Sequence, residues 1–309
     1  KLPSGPLWPW LGRLIALRML PGQMRREQRG VADGAWQSLR AGVTCVGDIS
    51  RRNVAWDVLA DIPIRKVCFV ELLSLADHPP RTPAELRAAL DAVREGPLLT
   101  AGVSPHAPYT VTAEHVTAAI ELAAERGRPW TAHWAETHEE VAFLAGDESA
   151  LPRLLRPLVA RIGLQPPRCA PAEYLERCVG GRPPGLLAHG NYFAEADFAA
   201  LARAGHTVVY CPRAHQFFQH PPHPLAALRA AGVPVVFGTD SAASNTGLGV
   251  LDELQLVAMH VAGAPPADEL LRLATLGAAR ALGLADRIGT LEPGKQADLA
   301  AFACDPRTM

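Results

Sequence analysis

The sequence has no Cys-x-x-Cys pair, no long apolar run and no excess of either charge. Isolated cysteines argue against a zinc ribbon or a thiol redox motif, and they fit a reducing cytoplasm. No apolar run approaches the roughly 20 residues that a membrane-spanning helix needs. A net charge of −1 gives no electrostatic basis for binding nucleic acid or an anionic membrane. We therefore expect a cytoplasmic protein with a small-molecule substrate and no nucleic-acid or membrane partner.

Short apolar runs bounded by glycine or proline alternate with helical patterns along the 309 residues. Several runs are apolar nearly throughout, which suits parallel strands buried on both faces. The predicted strands are 43–49, 65–72, 98–104, 130–135, 185–189, 207–211 and 233–239. This alternation predicts an α/β fold with a parallel sheet and right-handed crossovers. Seven strands are one short of a (β/α)8 TIM barrel.

The expected position of the missing strand follows from the first 41 residues. Residues 7–20 and 23–41 have helical patterns, so we expect the first barrel strand to precede residue 1. The predicted domains are therefore a barrel holding strands two to eight, residues 1–286, and a C-terminal segment, residues 287–309. That segment contains a turn flanked by short β segments. The Pro- and Arg-rich stretch 147–184 is expected to be an insertion between the fifth and sixth strands.

Histidine and acidic side chains stand at the ends of several predicted strands, where barrel enzymes carry their catalytic groups. His106, His133, His189 and Asp240 end the fourth, fifth, sixth and eighth strands, and Glu136 follows the fifth. A neutral imidazole is a good zinc ligand, and a nearby carboxylate can move protons for an activated water. Taken singly, each residue has a structural alternative: a buried core histidine, a loop histidine, a helix-start glutamate or a helix N-cap aspartate.

The combination of these residues favours a metal-dependent hydrolase over the structural alternatives. A zinc ion that activates water needs about three or more protein ligands. His133 and Asp240 are two clear candidates. His189 is either a third ligand or a residue beside the attacking hydroxide.

These motifs resemble the amidohydrolase superfamily, in its chlorohydrolase and nucleoside deaminase branch. The resemblance covers almost the whole chain, through residues 8–11, 41–48 and 288–299 as well as the strand-end motifs. It implies a metal-dependent hydrolytic deaminase in which hydroxide attacks a ring carbon of an aminated purine nucleoside or related heterocycle and ammonia is released. It also implies that the C-terminal segment is the remnant of a small composite β-sandwich.

The resemblance implies a role for each strand-end residue. His133 would bind the metal, and Asp240 would bind it and help to deprotonate the attacking water. Glu136 would take a proton from that water and deliver it to the substrate ring nitrogen and the leaving amine. His189 would orient the hydroxide, and His106 would contact the substrate.

One element of the family pattern is missing, namely the His-x-His that ends the first strand and supplies two metal ligands. This departure predicts that the chain is an N-terminally truncated piece of a longer protein, and that alone it binds metal weakly and turns over poorly. The two-metal class of the superfamily needs a bridging lysine at the end of the fourth strand. Lys1, Lys66 and Lys295 are the only lysines and none lies there. We therefore expect one divalent metal, zinc in the first place and iron as the alternative.

The segment after the seventh strand bears on the substrate. Arg213 could bind a substrate carboxylate, or it could be a solvated loop residue, and His215 adds a second polar ring. A carboxylate-bearing adenosine derivative such as aminodeoxyfutalosine would fit, with S-adenosylhomocysteine and methylthioadenosine as competitors. His220 and His223 resemble a metal pair, although we favour a rigid loop near the site mouth.

Other functions and the assembly stay open. An inactive barrel relative that binds a nucleoside or a partner is one alternative function. A chlorohydrolase or guanidine-type hydrolase on the same site is another. The assembly could be a homodimer.

Overall fold

The computed structural model describes residues 2–50, 54–75 and 80–303. The last six residues of the predicted C-terminal segment therefore lie outside the described part. No described helix is both long and apolar enough to cross a bilayer.

All seven predicted strands are present within one or two residues of their expected ends. Their bounds are β1 Cys45–Ser50, β2 Arg65–Leu72, β3 Leu99–Pro105, β4 Thr131–Trp134, β5 Leu186–His189, β6 Thr207–Tyr210 and β7 Val235–Phe237. Every pairing between neighbouring strands is parallel, in the orders β1-β2-β3 and β4-β5-β6-β7. A parallel bridge between Val103 and Trp130 connects the two sets. The carboxyl ends of the strands consequently face the same side.

Helices fill the connections between these strands. Their bounds are α1 Leu7–Arg18, α2 Gln23–Arg40, α3 Val54–Ala60, α4 Pro83–Asp91, α5 Ala113–Glu125, α6 His138–Leu144, α7 Arg156–Arg161, α8 Pro171–Val179, α9 Glu195–Ala204, α10 Pro212–Phe217, α11 Leu225–Ala230, α12 Val250–His260, α13 Ala267–Arg272, a π-helical turn Leu273–Gly277 and α14 Ala278–Ala281. The hydroxyls of Thr82, Thr112 and Thr137 accept the N3 backbone amides of α4, α5 and α6. These N-caps satisfy amides that have no partner inside the helix.

The segment 147–184 is more regular than its composition predicts. It contains α8, which begins with Pro171 at its first position and buries one face. The Tyr174 ring stacks on Trp134 of β4 at a centroid distance of 5.6 Å. The segment lies between β4 and β5, which are the fifth and sixth strands once the expected first strand is counted, and within it α8 packs against α5 and α9. Pro171 at N1 is a sequence signal for the start of this helix.

The described part of the C-terminal segment forms a turn near Gly294 but no strand. The expected β segments beside that turn are therefore absent up to residue 303. A strand forms only when a neighbour takes its backbone hydrogen bonds, and no described segment pairs with this one. The segment is instead held against β2, where Arg65 makes a bidentate ion pair with Asp298 (Nε–Oδ2 2.7 Å, Nη2–Oδ1 3.1 Å). The division into two domains remains a prediction.

Candidate active site

The strand ends bring three of the predicted histidines into one row. The His106 and His133 rings have centroids 4.8 Å apart, and the His133 and His189 rings are stacked at 5.4 Å. His189 Nε2 lies 3.5 Å from Glu136 Oε1. Four residues that are as many as 83 positions apart in the chain therefore line one site. They do so because parallel strands deliver their carboxyl ends to the same edge.

The His133 ring is oriented by a backbone carbonyl. Its Nδ1 lies 2.9 Å from the carbonyl oxygen of His106. Because a carbonyl only accepts, Nδ1 carries the hydrogen and Nε2 keeps its lone pair in the neutral ring. This is the tautomer that a metal-binding imidazole needs, with the other ring nitrogen fixed by an outer partner.

Glu136 and His189 form a buried pair whose proton affinities are displaced in opposite directions. Burial raises the pKa of Glu136 to about 7; the charge of His133 lowers it and that of Asp240 raises it further. Burial lowers the pKa of His189, and the charge of Asp240 opposes that change. Near neutral pH the carboxyl therefore exchanges a proton readily while the imidazole is mainly neutral. Such a carboxyl is suited to general acid and base work.

Asp240 follows β7 by three residues in a left-handed backbone conformation, with φ 54°. Its Oδ2 accepts a hydrogen bond from the Ser244 hydroxyl at 2.6 Å. Ala135 (φ 52°) and His189 (φ 73°) share this conformation, which is costly for residues other than glycine. The backbone is thus strained at three of the strand ends that form the site.

His106 is held on the opposite side of His133. Thr110 donates its hydroxyl hydrogen to the Ala107 carbonyl, so its oxygen accepts from His106 Nδ1 at 2.8 Å. His106 Nε2 then points toward Glu71, with 3.9 Å between Nε2 and Oε1. Tyr109 packs edge-on against His106 and also against Trp8 of α1, so α1 borders this part of the site.

The side chains at the site are of the type that binds a divalent metal, but too few of them come together. His133 Nε2 and the Asp240 carboxylate are donors that zinc accepts, and His189 lies beside them. Within residues 2–50, 54–75 and 80–303, however, no group of three or more histidine, cysteine or acidic side chains is close enough to hold an ion. The shortage of donors expected from the sequence is therefore also present in the described structure.

The segment after β6 takes positions around this site. The Arg213 guanidinium is paired with Asp252 (Nη1–Oδ2 3.2 Å). His223 Nε2 lies 3.0 Å from the His189 carbonyl oxygen, and the His223 ring stacks on Tyr210 at 3.8 Å. His220 Nδ1 lies 3.2 Å from the Tyr192 hydroxyl. His220 and His223 thus have different partners, as expected for a packed loop rather than a metal pair.

Three buried polar residues around the site were not predicted from the sequence: Glu140, Asn191 and Glu253. Glu140 accepts the backbone amides of Ala135 (2.6 Å) and Glu136 (3.1 Å). The Asn191 side-chain amide donates to the Glu136 carbonyl at 3.0 Å. The spacing Thr137-x-x-Glu140 was a usable signal, since it is typical of a capping box at a helix start. Nothing in the local sequence marks the other two residues.

Nearly the whole chain matches a known family. The sequence model that represents the amidohydrolase family matches residues 3–309. The chain belongs to the amidohydrolase family. This assignment confirms both the resemblance stated from the motifs and the barrel-type fold class.

Similar proteins in this family are named deaminases. The chain is 37% identical over 221 residues to a 5-methylthioadenosine/S-adenosylhomocysteine deaminase of Teredinibacter turnerae, covering 69% of this chain and 45% of the relative. It is 33% identical over 291 residues to an aminodeoxyfutalosine deaminase of Deinococcus radiodurans, covering 90% and 68%. The crystal structure of a Xanthomonas campestris adenosine deaminase with bound zinc superimposes with a TM-score of 0.75 at 29% identity, covering 96% and 66%. The chain thus spans between about half and two thirds of the length of these proteins.

Proposed function

We propose that the protein is a metal-dependent aminohydrolase that removes the amino group of a purine nucleoside as ammonia. The observation that carries the proposal is the buried Glu136 carboxyl, with a pKa of about 7, beside His189 and in the row with His133. Deamination needs a group that first accepts a proton from water and then donates protons to a ring nitrogen and a leaving amine. A carboxyl whose pKa lies near neutrality serves both purposes.

The other residues of the row support this proton transfer. His189, mainly neutral because of its burial, lies at 3.5 Å from Glu136 and can hold water in place by a hydrogen bond. His106, whose ring lies 4.8 Å from that of His133 and whose Nδ1 is engaged by Thr110, is placed to contact the substrate. When held by His133, Asp240 and further donors, a divalent ion, zinc by expectation, supplies the Lewis acidity that makes water easier to ionise.

The names of the relatives support three adenine nucleosides as candidate substrates. Methylthioadenosine, S-adenosylhomocysteine and aminodeoxyfutalosine share the purine amine and differ in the group on the ribose. The last two carry a carboxylate and methylthioadenosine does not. Arg213 is the cation proposed to bind that carboxylate. It would have to exchange its ion pair with Asp252 for the substrate.

Ammonia release from the three nucleosides tests the proposed function. The gene product that contains this chain should deaminate at least one of them, and Glu136→Gln should lower kcat by about 10³-fold or more while nucleoside binding persists. Binding without turnover in the unmodified protein would favour an inactive relative. Release of halide from a chlorinated heterocycle without release of ammonia would favour a chlorohydrolase.

The role of Arg213 can be separated from the reaction itself. Arg213→Gln should raise KM about 10-fold or more for a carboxylate-bearing substrate and leave KM for methylthioadenosine nearly unchanged. Arg203→Gln, on the exposed face of α9, is the matched control. Equal effects of Arg213→Gln on both kinds of substrate would remove the carboxylate-binding role.

Metal content tests the shortage of donors. Because the described residues gather fewer than three suitable donors, this 309-residue chain should retain little zinc after dialysis. Metal analysis of the purified chain measures this. One tightly bound zinc per chain would show that the donor set is complete.

A further inference from the structure

The dipeptide Ala135–Glu136 makes all its backbone hydrogen bonds to groups outside the strand that it follows. The two amides donate to the Glu140 carboxyl group, Ala135 N to Oε1 at 2.6 Å and Glu136 N to Oε2 at 3.1 Å. The Ala135 carbonyl accepts from the Tyr192 amide at 2.9 Å. The Glu136 carbonyl accepts from Asn191 Nδ2 at 3.0 Å. Four hydrogen bonds therefore fix the backbone that carries the Glu136 carboxyl.

Glu140 is suited to hold two amides at once. Each oxygen of a carboxyl group can accept a hydrogen bond, and the Glu140 side chain has no solvent exposure. It projects from the first turn of α6, where Thr137 caps its own backbone amide at 3.1 Å. In a capping box this side chain would return to the amide of the N-cap residue. It reaches one and two residues further back instead and binds the left-handed Ala135 and its neighbour.

Asn191 is in turn oriented by a histidine. His215 Nδ1 lies 3.0 Å from Asn191 Oδ1. Because Oδ1 only accepts, His215 donates, and this bond places the Asn191 amide nitrogen toward the Glu136 carbonyl. His215 belongs to α10, after β6, and Asn191 follows β5. The Glu136 backbone is thus held by residues of its own βα unit and of the next one, and a residue of the third unit orients Asn191.

We propose that Glu140 and Asn191, the latter oriented by His215, are positioning residues that fix the Glu136 carboxyl for proton transfer. The expected effect on kcat rests on the proposed function, whereas the expected effect on the order of the backbone rests on geometry alone. None of the hydrogen bonds made by Glu140 or Asn191 reaches the Glu136 side chain, so these residues act through its backbone. Their loss should therefore lower kcat more than it changes KM. Misplacement of a reacting group by about 1 Å can cost roughly 100-fold in rate.

The experiment compares Glu140→Gln with Glu139→Gln in the gene product that contains this chain. The first keeps the size of the side chain but offers one acceptor where two amides need partners, and the second changes the preceding residue of the same helix. Hydrogen exchange read by mass spectrometry should show the Ala135 and Glu136 amides exchanging about 10-fold faster or more in Glu140→Gln only. Deamination should show kcat about 10- to 100-fold lower and KM within about twofold, again in Glu140→Gln only.

A second pair of variants addresses Asn191 without touching α6. His215→Gln keeps a donor for Asn191 Oδ1, and His215→Phe removes it. The glutamine variant should retain most of kcat and the phenylalanine variant should lose about 10-fold. If Glu140→Gln fails to fold, this pair of variants still tests whether the contacts to the Glu136 backbone affect kcat.

The outcomes separate this inference from the proposed function. Turnover equal to that of Glu139→Gln, together with unchanged exchange at Ala135 and Glu136, would overturn the positioning role and leave deamination intact. If the unmodified protein deaminates none of the three nucleosides, the exchange measurement still decides. Faster exchange confined to these amides supports the role, and unchanged exchange refutes it.

Discussion

Two turns at the rim of the site, one after β4 and one after β7, have the same backbone conformation but are stabilised by different contacts. Each places a residue other than glycine in the left-handed region, Ala135 with φ 52° and Asp240 with φ 54°. Each is stabilised by a fully buried glutamate, Glu140 for the β4 turn and Glu253 for the β7 turn. Burial raises the pKa of both, to about 8 for Glu140 and about 7 for Glu253.

The two glutamates differ in how they reach their turn. Glu140 binds the amides of Ala135 and Glu136 directly. Glu253 binds the Asn245 side chain at 2.7 Å, and Asn245 in turn donates to the Thr239 carbonyl at 2.7 Å. The second oxygen of Glu253 accepts the Arg213 amide at 2.8 Å.

This difference shows that one turn is local and the other is not. The β4 turn and its glutamate lie within six residues, so this segment brings its own acceptor. The β7 turn depends on α12 being packed in place, because Glu253 lies 13 residues after Asp240. The same helix also fixes the start of α10 through the Arg213 amide. We therefore expect the β7 side to respond more to distant changes.

The largest expected effect is on stability, and it should differ between the two turns. Glu140→Ala leaves two buried backbone amides without a partner, so the free energy of unfolding should fall by about 3 to 5 kcal/mol. Glu253→Ala should cost about 2 to 3 kcal/mol, because the half-buried Arg213 amide loses its acceptor while the Asn245 side-chain amide keeps the Thr239 carbonyl as partner. Urea unfolding measures both, with the exposed Glu176→Ala as control. Equal losses would remove the distinction between a direct and a relayed contact.

A pH series should sharpen the comparison with an effect of intermediate size. The folded pKa of Glu253 is raised, so its contribution to stability is present below the unfolded value of about 4.5 and is lost as pH rises through about 7. Between pH 5 and 8 the unmodified chain should lose about 2 kcal/mol relative to Glu253→Gln. Relative to Glu140→Gln, the unmodified chain should continue to lose stability up to about pH 8, because the pKa of Glu140 is raised to that value. A difference between the unmodified chain and Glu253→Gln that does not change with pH would contradict the raised pKa.

Ser244→Ala should have a smaller effect, confined to the β7 turn. It removes the hydroxyl that donates to Asp240 Oδ2 at 2.6 Å, so stability should fall by about 1 kcal/mol. Thermal unfolding of this variant beside Ser149→Ala, on an exposed turn, tests the prediction. A change no larger than that of the control would show that the hydroxyl does not hold Asp240.

The smallest effect is expected at the backbone of the β4 turn itself. Ala135→Gly should remove a strain energy of about 1 kcal/mol from the left-handed backbone. Glycine also increases the conformational entropy of the unfolded chain by a similar free energy, so the free energy of unfolding should change little. Ala119→Gly, inside the buried face of α5, should cost about 1 kcal/mol or more. A loss at Ala135 as large as that at Ala119 would indicate that the φ of 52° carries no strain.

The strands and the site histidines could be predicted because their signals are local. The run 65–72 has an apolar centre, residues 67–70, and forms β2 as expected, and Thr82 and Thr112 mark helix starts that the structure confirms. His106, His133 and His189 end their strands and meet, since barrel topology gathers strand ends at one side. The β segments near 289–302 did not form in the described residues, because a strand also depends on a neighbour that local pattern does not reveal.

The sequence by itself determined which residues end the strands and therefore which side chains reach the site. Only the tertiary structure decided their chemical state. Burial, rather than residue type, raises the pKa of Glu136 to about 7 and lowers that of His189. Only the structure, too, paired Glu140, Asn191 and Glu253 with particular partners, because the Glu140 contact requires the strained turn at Ala135 and the other two require separate segments to be in place. Hydrophobic pattern acts along the chain, whereas desolvation and hydrogen bonding depend on what folding brings together.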